Sequence, residues 1–354
     1  MTKTVERPEN IRRPPVKTTA GITRRRFLAG GLLFLGAAAG CRGGREGASS
    51  GDARAVGHKY GSTEISGTPE RVVTVGITDQ DPVLALGVKP VGIGEWYGEY
   101  PSAVWPWARD ELGDAEPEVL PTTQLAFERI AALEPDLILG LNSGLTRQDY
   151  DTLSDIAPTV AQPKGYIDYG APWQEQTRTI GRALGREERA DEVVSEVESR
   201  FAAVRENHPR FSGASGVIVG ANGQGDSYFP APYNPQDVRG RFMDALGFEQ
   251  PRALRELAGD AFFTELSREQ LGLVDAEVLV WVDLGAGFDA VRDDPLYQQL
   301  DAVREGRDVF LDDEVLNGAL SFGTVLSLPF VLDGLVPRIA AAIDGDPETT
   351  TPDS

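Results

Sequence analysis

The chain has 354 residues, enough for two lobes with cores of their own, and its 55 acidic side chains outweigh 34 basic ones for a formal net charge of -21. The first 40 residues carry eight Lys or Arg against two acids, so the remainder stands at -27 and repels phosphate backbones, which excludes nucleic acid as a partner. A single cysteine excludes an internal disulfide, and only two histidines, His58 and His208, leave little with which to hold a bare metal ion.

In chain order, Thr23-Arg24-Arg25-Arg26-Phe27-Leu28 is a twin-arginine pattern, and the apolar stretch 27–39 is too short to span a bilayer. It runs into Ala38-Ala39-Gly40-Cys41, which resembles a bacterial lipobox, with Ala38 where that pattern usually has leucine. The resemblance implies a signal peptide over 1–40 and lipidation of Cys41 as the new N-terminus. Residues 41–55, rich in Gly and Ser, then read as a flexible tether. The expected location is outside the cytoplasm, anchored to the outer face of the cytoplasmic membrane.

From there strand and helix signals alternate. Strands are expected at 71–75, 91–93, 137–139 and 159–161, with helices at 81–86, around Glu128 and at 149–156. The spacing of Ala190, Val193, Val194, Val197, Phe201 and Val204 predicts one unbroken amphipathic helix over 186–207, ended by His208-Pro209. A second alternation follows, with strands at 217–219, 278–282 and 309–311, helices at 239–246 and around Glu269, and a last helix at 328–343. Such alternation implies an α/β fold: two Rossmann-like lobes with parallel sheets, residues 56–185 and 209–344, joined by one long helix over 186–208, with a ligand cleft between them and a disordered tail over 345–354.

Two segments repeat one another without a gap. Leu125-Ala126-Phe127-Glu128-Arg129-Ile130, running on to Leu137-Ile138-Leu139, aligns with Leu266-Ser267-Arg268-Glu269-Gln270-Leu271, running on to Val278-Leu279-Val280. Each is a short helix feeding a buried strand, with a glutamate at the same step.

The strings Arg71-Val72-Val73-Thr74-Val75, Ala85-Leu86-Gly87-Val88-Lys89-Pro90-Val91-Gly92-Ile93, Ile156-Ala157-Pro158-Thr159-Val160 and Ala302-Val303-Arg304-Glu305-Gly306, with the long helix and the lipoprotein start, make the chain similar to a known family. It resembles the helix-linked substrate-binding lipoproteins of ABC importers for ferric siderophores, heme and cobalamin, most of all the iron-siderophore binders. The resemblance implies a monomer that gives its ligand to a permease dimer with its ATPase. It also implies that Glu128 and Glu269 dock onto that permease, one per lobe. A carboxylate in the first turn of a helix is equally what the macrodipole favours.

Ligands of open α/β sheets gather beyond the carboxyl ends of the strands, so the loops there supply the candidates: Trp96 and Tyr97, Arg147, Tyr166 and Trp173 in the first lobe, and Tyr228, Tyr233, Arg239, Trp281 and Phe322 in the second. Aromatic faces and a few guanidinium groups suit a bulky, partly apolar chelate with exposed oxygens. Neither histidine falls in these loops, so iron is expected already wrapped in an organic chelator, with no cofactor of the protein's own. The acidic composition favours hydroxamate over strongly anionic catecholate complexes; heme and cobalamin stay open as ligands. An enzyme is not expected: there is no Gly-x-Ser-x-Gly, His-Glu-x-x-His or P-loop, and Gly220-Ala221-Asn222-Gly223-Gln224-Gly225 lacks the spacing of a dinucleotide loop. The readings of a different class are a lipid-anchored ligand sensor and a secreted hydrolase.

Overall fold

The computed structural model describes residues 53–221, 227–231, 237–258, 265–285 and 287–345. The signal peptide, Cys41, nearly all of the tether, Tyr233 and all of the tail but Gly345 lie outside the described residues.

The first elements are a hairpin that the sequence did not announce. Strands β1 (Arg54–His58) and β2 (Gly61–Ile65) pair antiparallel. Val56 and Ile65 go to the core, and His58, fully buried, meets Thr63 Oγ1 at 3.0 Å. The expected tether therefore gives way to regular structure at Arg54, where alternation over only five residues was too brief to register.

The first sheet contains β3 (Val72–Thr74), β4 (Gly92–Glu95), β5 (Glu118–Pro121), β6 (Leu137–Gly140) and β7 (Thr159–Ala161), all parallel, in the order β5-β4-β3-β6-β7. The second contains β8 (Gly216–Ala221), β9 (Ser227–Ala231), β10 (Leu266–Ser267), β11 (Val278–Asp283) and β12 (Asp308–Leu311), in the order β10-β9-β8-β11-β12. Counted from its own first strand, each sheet runs third, second, first, fourth, fifth. The second departs from the expected parallel pattern in one respect: β9 lies antiparallel to β8 and β10. Ala221 and Ser227 are too close in sequence for the crossover of about a dozen residues that a parallel pair requires.

The strands are aliphatic because both faces are covered. In β11, Val278, Val280 and Val282 join the core that contains the long helix and the last helix (Ser327–Ala342), while Leu279 and Trp281 face the opposite layer with Leu271, Val274 and Tyr297. The long helix runs Glu187–Asn207 and buries Ala190, Val193, Val194, Val197 and Phe201, five of the six residues of the expected stripe. Most of that stripe belongs to one continuous core with Val72 and Leu139 of the first sheet and Ile218 and Val280 of the second.

Candidate ligand cleft

Loops leaving the carboxyl ends of both sheets enclose a cleft of about 1210 Å³. Its first wall is Trp96 and Tyr97 after β4, Thr122 and Thr123 after β5, Asn142 after β6, and Tyr169 and Trp173 after β7. The second wall brings Arg239 and Arg241 from the helix Val238–Leu246, Asp283 and Leu284 from the end of β11, and Asp312, Glu314 and Phe322 after β12. Among the described residues six large hydrophobic side chains stand exposed, and four of them, Trp96, Tyr97, Tyr169 and Leu284, line this cleft. Apolar surface left open in one concave place marks a binding site.

Two buried aspartates fix the floor. Asp79, after β3, accepts the backbone N–H groups of Leu141 (2.7 Å) and Asn142 (2.9 Å) after β6. It thereby ties the two loops that flank the point where strand order reverses. Asp81 accepts the indole N–H of Trp107 at 2.8 Å and, from the other lobe, the hydroxyl of Thr324 at 2.5 Å. Burial pushes each carboxyl up to about 6.

A run of rings continues the contact between lobes. Trp105 stacks on Trp107 (centroids 4.9 Å apart), Tyr97 meets Trp105 edge-on at 5.2 Å, and Phe322 of the second lobe touches Trp96 (5.5 Å), Trp105 (5.6 Å) and Trp107 (5.1 Å). On the second wall Arg239 holds Asp237 through two bonds, Nη2 to Oδ2 at 3.0 Å and Nε to Oδ1 at 3.2 Å. Burial raises the Asp237 carboxyl, and the Arg239 charge and side-chain hydrogen bond, joined by the backbone N–H groups of Arg239 and Gly240, together more than offset that, leaving it below the ordinary range. Arg241 donates to the Gly170 carbonyl of the first lobe at 2.5 Å.

Of the sequence candidates, Trp96, Tyr97, Trp173, Arg239 and Phe322 come together on the cleft walls. Trp173 and Phe322 do so as the first residue of the helix Trp173–Leu184 and the last of Glu314–Phe322, not from loops. Four others do not line the cleft. Trp281 is fully buried in the outer core layer of the second lobe with Tyr228, because alternation along β11 sends its odd positions there. The Tyr228 hydroxyl donates to Asp294 at 2.8 Å. Arg147 opens the helix Arg147–Ile156, pairs with Asp151 one turn on at 3.1 Å and donates to the Tyr60 carbonyl. Tyr166 sits in the loop after β7, its carbonyl accepting from Gln162 at 2.8 Å. Sequence reasoning passed over Arg241 and the acids Asp283, Asp312 and Glu314; the strand ends before each acid were the available signal.

The repeated glutamates occupy matching places. Glu128 is the second residue of the α-helix Phe127–Ala132 and Glu269 the second of Arg268–Val274, where the short helix expected is a 3-10 helix. Each leads from the third strand of its sheet to the fourth, and both are exposed. The neighbouring arginines are tied back, Arg129 to Glu118 at 2.7 Å and Arg268 to Asp294 at 2.7 Å.

Two lobes of one strand order facing a shared, aromatic-walled cleft define a ligand-binding protein of the two-lobe α/β class. The chain belongs to the periplasmic binding protein family, whose pattern matches residues 77–315. Its fold is similar to a periplasmic solute binding protein from Mycobacterium smegmatis (36% identity, TM-score 0.73, covering 82% of this chain and 99% of that one). It is likewise similar to PiaA of Streptococcus pneumoniae, an iron uptake ABC transporter substrate-binding protein, in complex with ferrichrome (27%, TM-score 0.71, 82% and 99%). In sequence it is 27% identical over 307 residues to YfiY, a probable siderophore-binding lipoprotein of Bacillus subtilis, covering 81% of this chain and 88% of that protein.

Proposed function

We propose that this protein captures a ferric siderophore between its lobes and delivers it to an ABC permease for iron uptake. The observation that carries the reading is the cleft itself: about 1210 Å³, walled by exposed aromatic rings, with two arginines at one side. Among the described residues no group of three His, Cys, Asp or Glu could hold a metal ion, which fits iron delivered inside its chelator. The ferrichrome bound to PiaA supports the ligand class. Hydroxamates are favoured because Arg239 and Arg241 are outnumbered on the walls by Asp237, Asp283, Asp312 and Glu314, an environment that repels polyanionic catecholate complexes.

Glu128 and Glu269 are the docking residues, one carboxylate for each half of a two-fold permease, and their matched places in two like sheets support this. Cys41 is the lipid anchor that follows a cleaved twin-arginine signal peptide, and YfiY is itself a probable lipoprotein. Among the described residues no helix is long and apolar enough to cross a membrane.

Trp96 is a reporter already in the wall. Titrating the protein with a ferric hydroxamate, a ferric catecholate, heme and cobalamin should give saturable tryptophan quenching with the hydroxamate. Quenching by heme or cobalamin alone overturns the iron-chelate reading while keeping the fold.

A further inference from the structure

Tyr169 is the one aromatic residue among the described non-glycine residues with positive φ, at 63°, and the only one of that set that lines the cleft. A bulky side chain in the left-handed region is strained and persists only where its surroundings over-determine it. Here they do so from both lobes. Within the first, the buried Gln162 donates from Nε2 to the carbonyls of Tyr166 (2.8 Å) and Ile167 (2.7 Å), Gly170 N–H bonds the Ile167 carbonyl (2.9 Å), and Lys59 pairs with Asp168 at 2.5 Å. From the second, Arg241 holds the Gly170 carbonyl, one peptide beyond the one that follows Tyr169, at 2.5 Å. The ring lies against Gly144, where a Cβ would come within 2.9 Å of the phenol oxygen, so only glycine leaves it this place. The outcome is a tyrosine that lines the cavity with 44% of its surface left exposed.

We infer that Tyr169 positions the ligand, and that Arg241 of the opposite lobe keeps it in its strained conformation. The aromatic wall is then complete only while that bond between the lobes is made. When it breaks, Tyr169 relaxes toward an extended conformation and withdraws its ring, so release of ligand is coupled to loss of one hydrogen bond. This rests on the reading of the cleft as a ferric-siderophore site.

The test uses ferrioxamine B and ferrichrome as probes against wild type, Tyr169→Gly, Tyr169→Phe, Arg241→Met and the Gly–Met double variant. Glycine relieves the strain, so Tyr169→Gly is expected to melt no lower than wild type yet release bound probe at least about tenfold faster. Tyr169→Phe, which keeps the ring, stays within about twofold of wild type. Arg241→Met speeds release in the wild-type background and adds little to Tyr169→Gly, because it acts through the tyrosine. Unchanged release from Tyr169→Gly, or independent multiplication of the two effects, overturns the inference alone. If wild type binds neither probe, the reading of the cleft fails and takes the inference with it.

Discussion

Asp81 and Thr324 meet across the two lobes, 243 positions apart in sequence, through a hydrogen bond of 2.5 Å to a carboxylate oxygen that also accepts Trp107. Both partners are buried, so this bond joins the lobes directly beneath the cleft. Thr324→Val keeps the shape but removes the donor, and with it the acceptor of the Ser327 N–H at 3.1 Å, and should cost about 1.5–3 kcal/mol of stability, the range for a hydrogen bond to a charged group. Urea denaturation measures it; an unchanged midpoint would show that the bond contributes nothing.

Asp79 and Asp81 make stability depend on pH in an unusual direction. Each has a native carboxyl raised from 3.8 to about 6, so the folded state takes up protons where the unfolded state does not. The stability they contribute is fully present below the unfolded value and is lost as pH rises through about 6. Acidifying from pH 7.5 to 5 should therefore stabilise the protein by about 1.4 kcal/mol per group, the share of the effect that falls above pH 5. The trend reverses at lower pH, where Asp294, held down to about 2 chiefly by its hydrogen bonds from Arg268, begins to protonate. Melting temperature against pH reads this out, and a steady fall from pH 7.5 to 5 would contradict it.

Gly318 lies in the helix Glu314–Phe322, where alanine would ordinarily gain about 1 kcal/mol in helix propensity. A Cβ there would come within 2.4 Å of the buried Trp105 ring. Gly318→Ala should accordingly destabilise, by about 1–3 kcal/mol of overpacking, and displace the ring that supports Tyr97. Calorimetry decides between the two effects, since a raised melting temperature would mean that the indole yields freely.

On the proposed docking role, replacing Glu128 and Glu269 together by arginine should abolish iron uptake in cells while leaving the affinity for ferric ligand within about twofold, because neither carboxylate lines the cleft walls. Binding by the purified variant and uptake by cells carrying it separate the two. Loss of ligand affinity would remove the docking role.

The sequence revealed what repeats along the chain and concealed what depends on the side of a strand. The stripe on Glu187–Asn207 was legible because spacing alone defines it, and the strand at Thr159–Ala161 because the alternation of strands and helices along the chain leaves a place for it. Trp281 was not: in Val-Leu-Val-Trp-Val-Asp both faces are apolar, so no polar alternation says which face meets the cleft and which the outer layer. Arg147 looked like a ligand group because its loop was legible and its partners, Asp151 and the Tyr60 carbonyl, were not. Tyr169 lacked a signal of another kind, since nothing in its neighbours' identities announces a positive φ at a tyrosine.

The core that threads through Glu187–Asn207 leaves no seam at which the chain could be parted. A cut before that helix would strip Ala190 from its contact at Gly181 of the first lobe, and a cut after it would strip Phe201 from Phe242 of the second. Lobes of this kind are poor units of exchange between relatives. A change of ligand is therefore expected to come from the loops at the strand ends, with the frame beneath them kept whole.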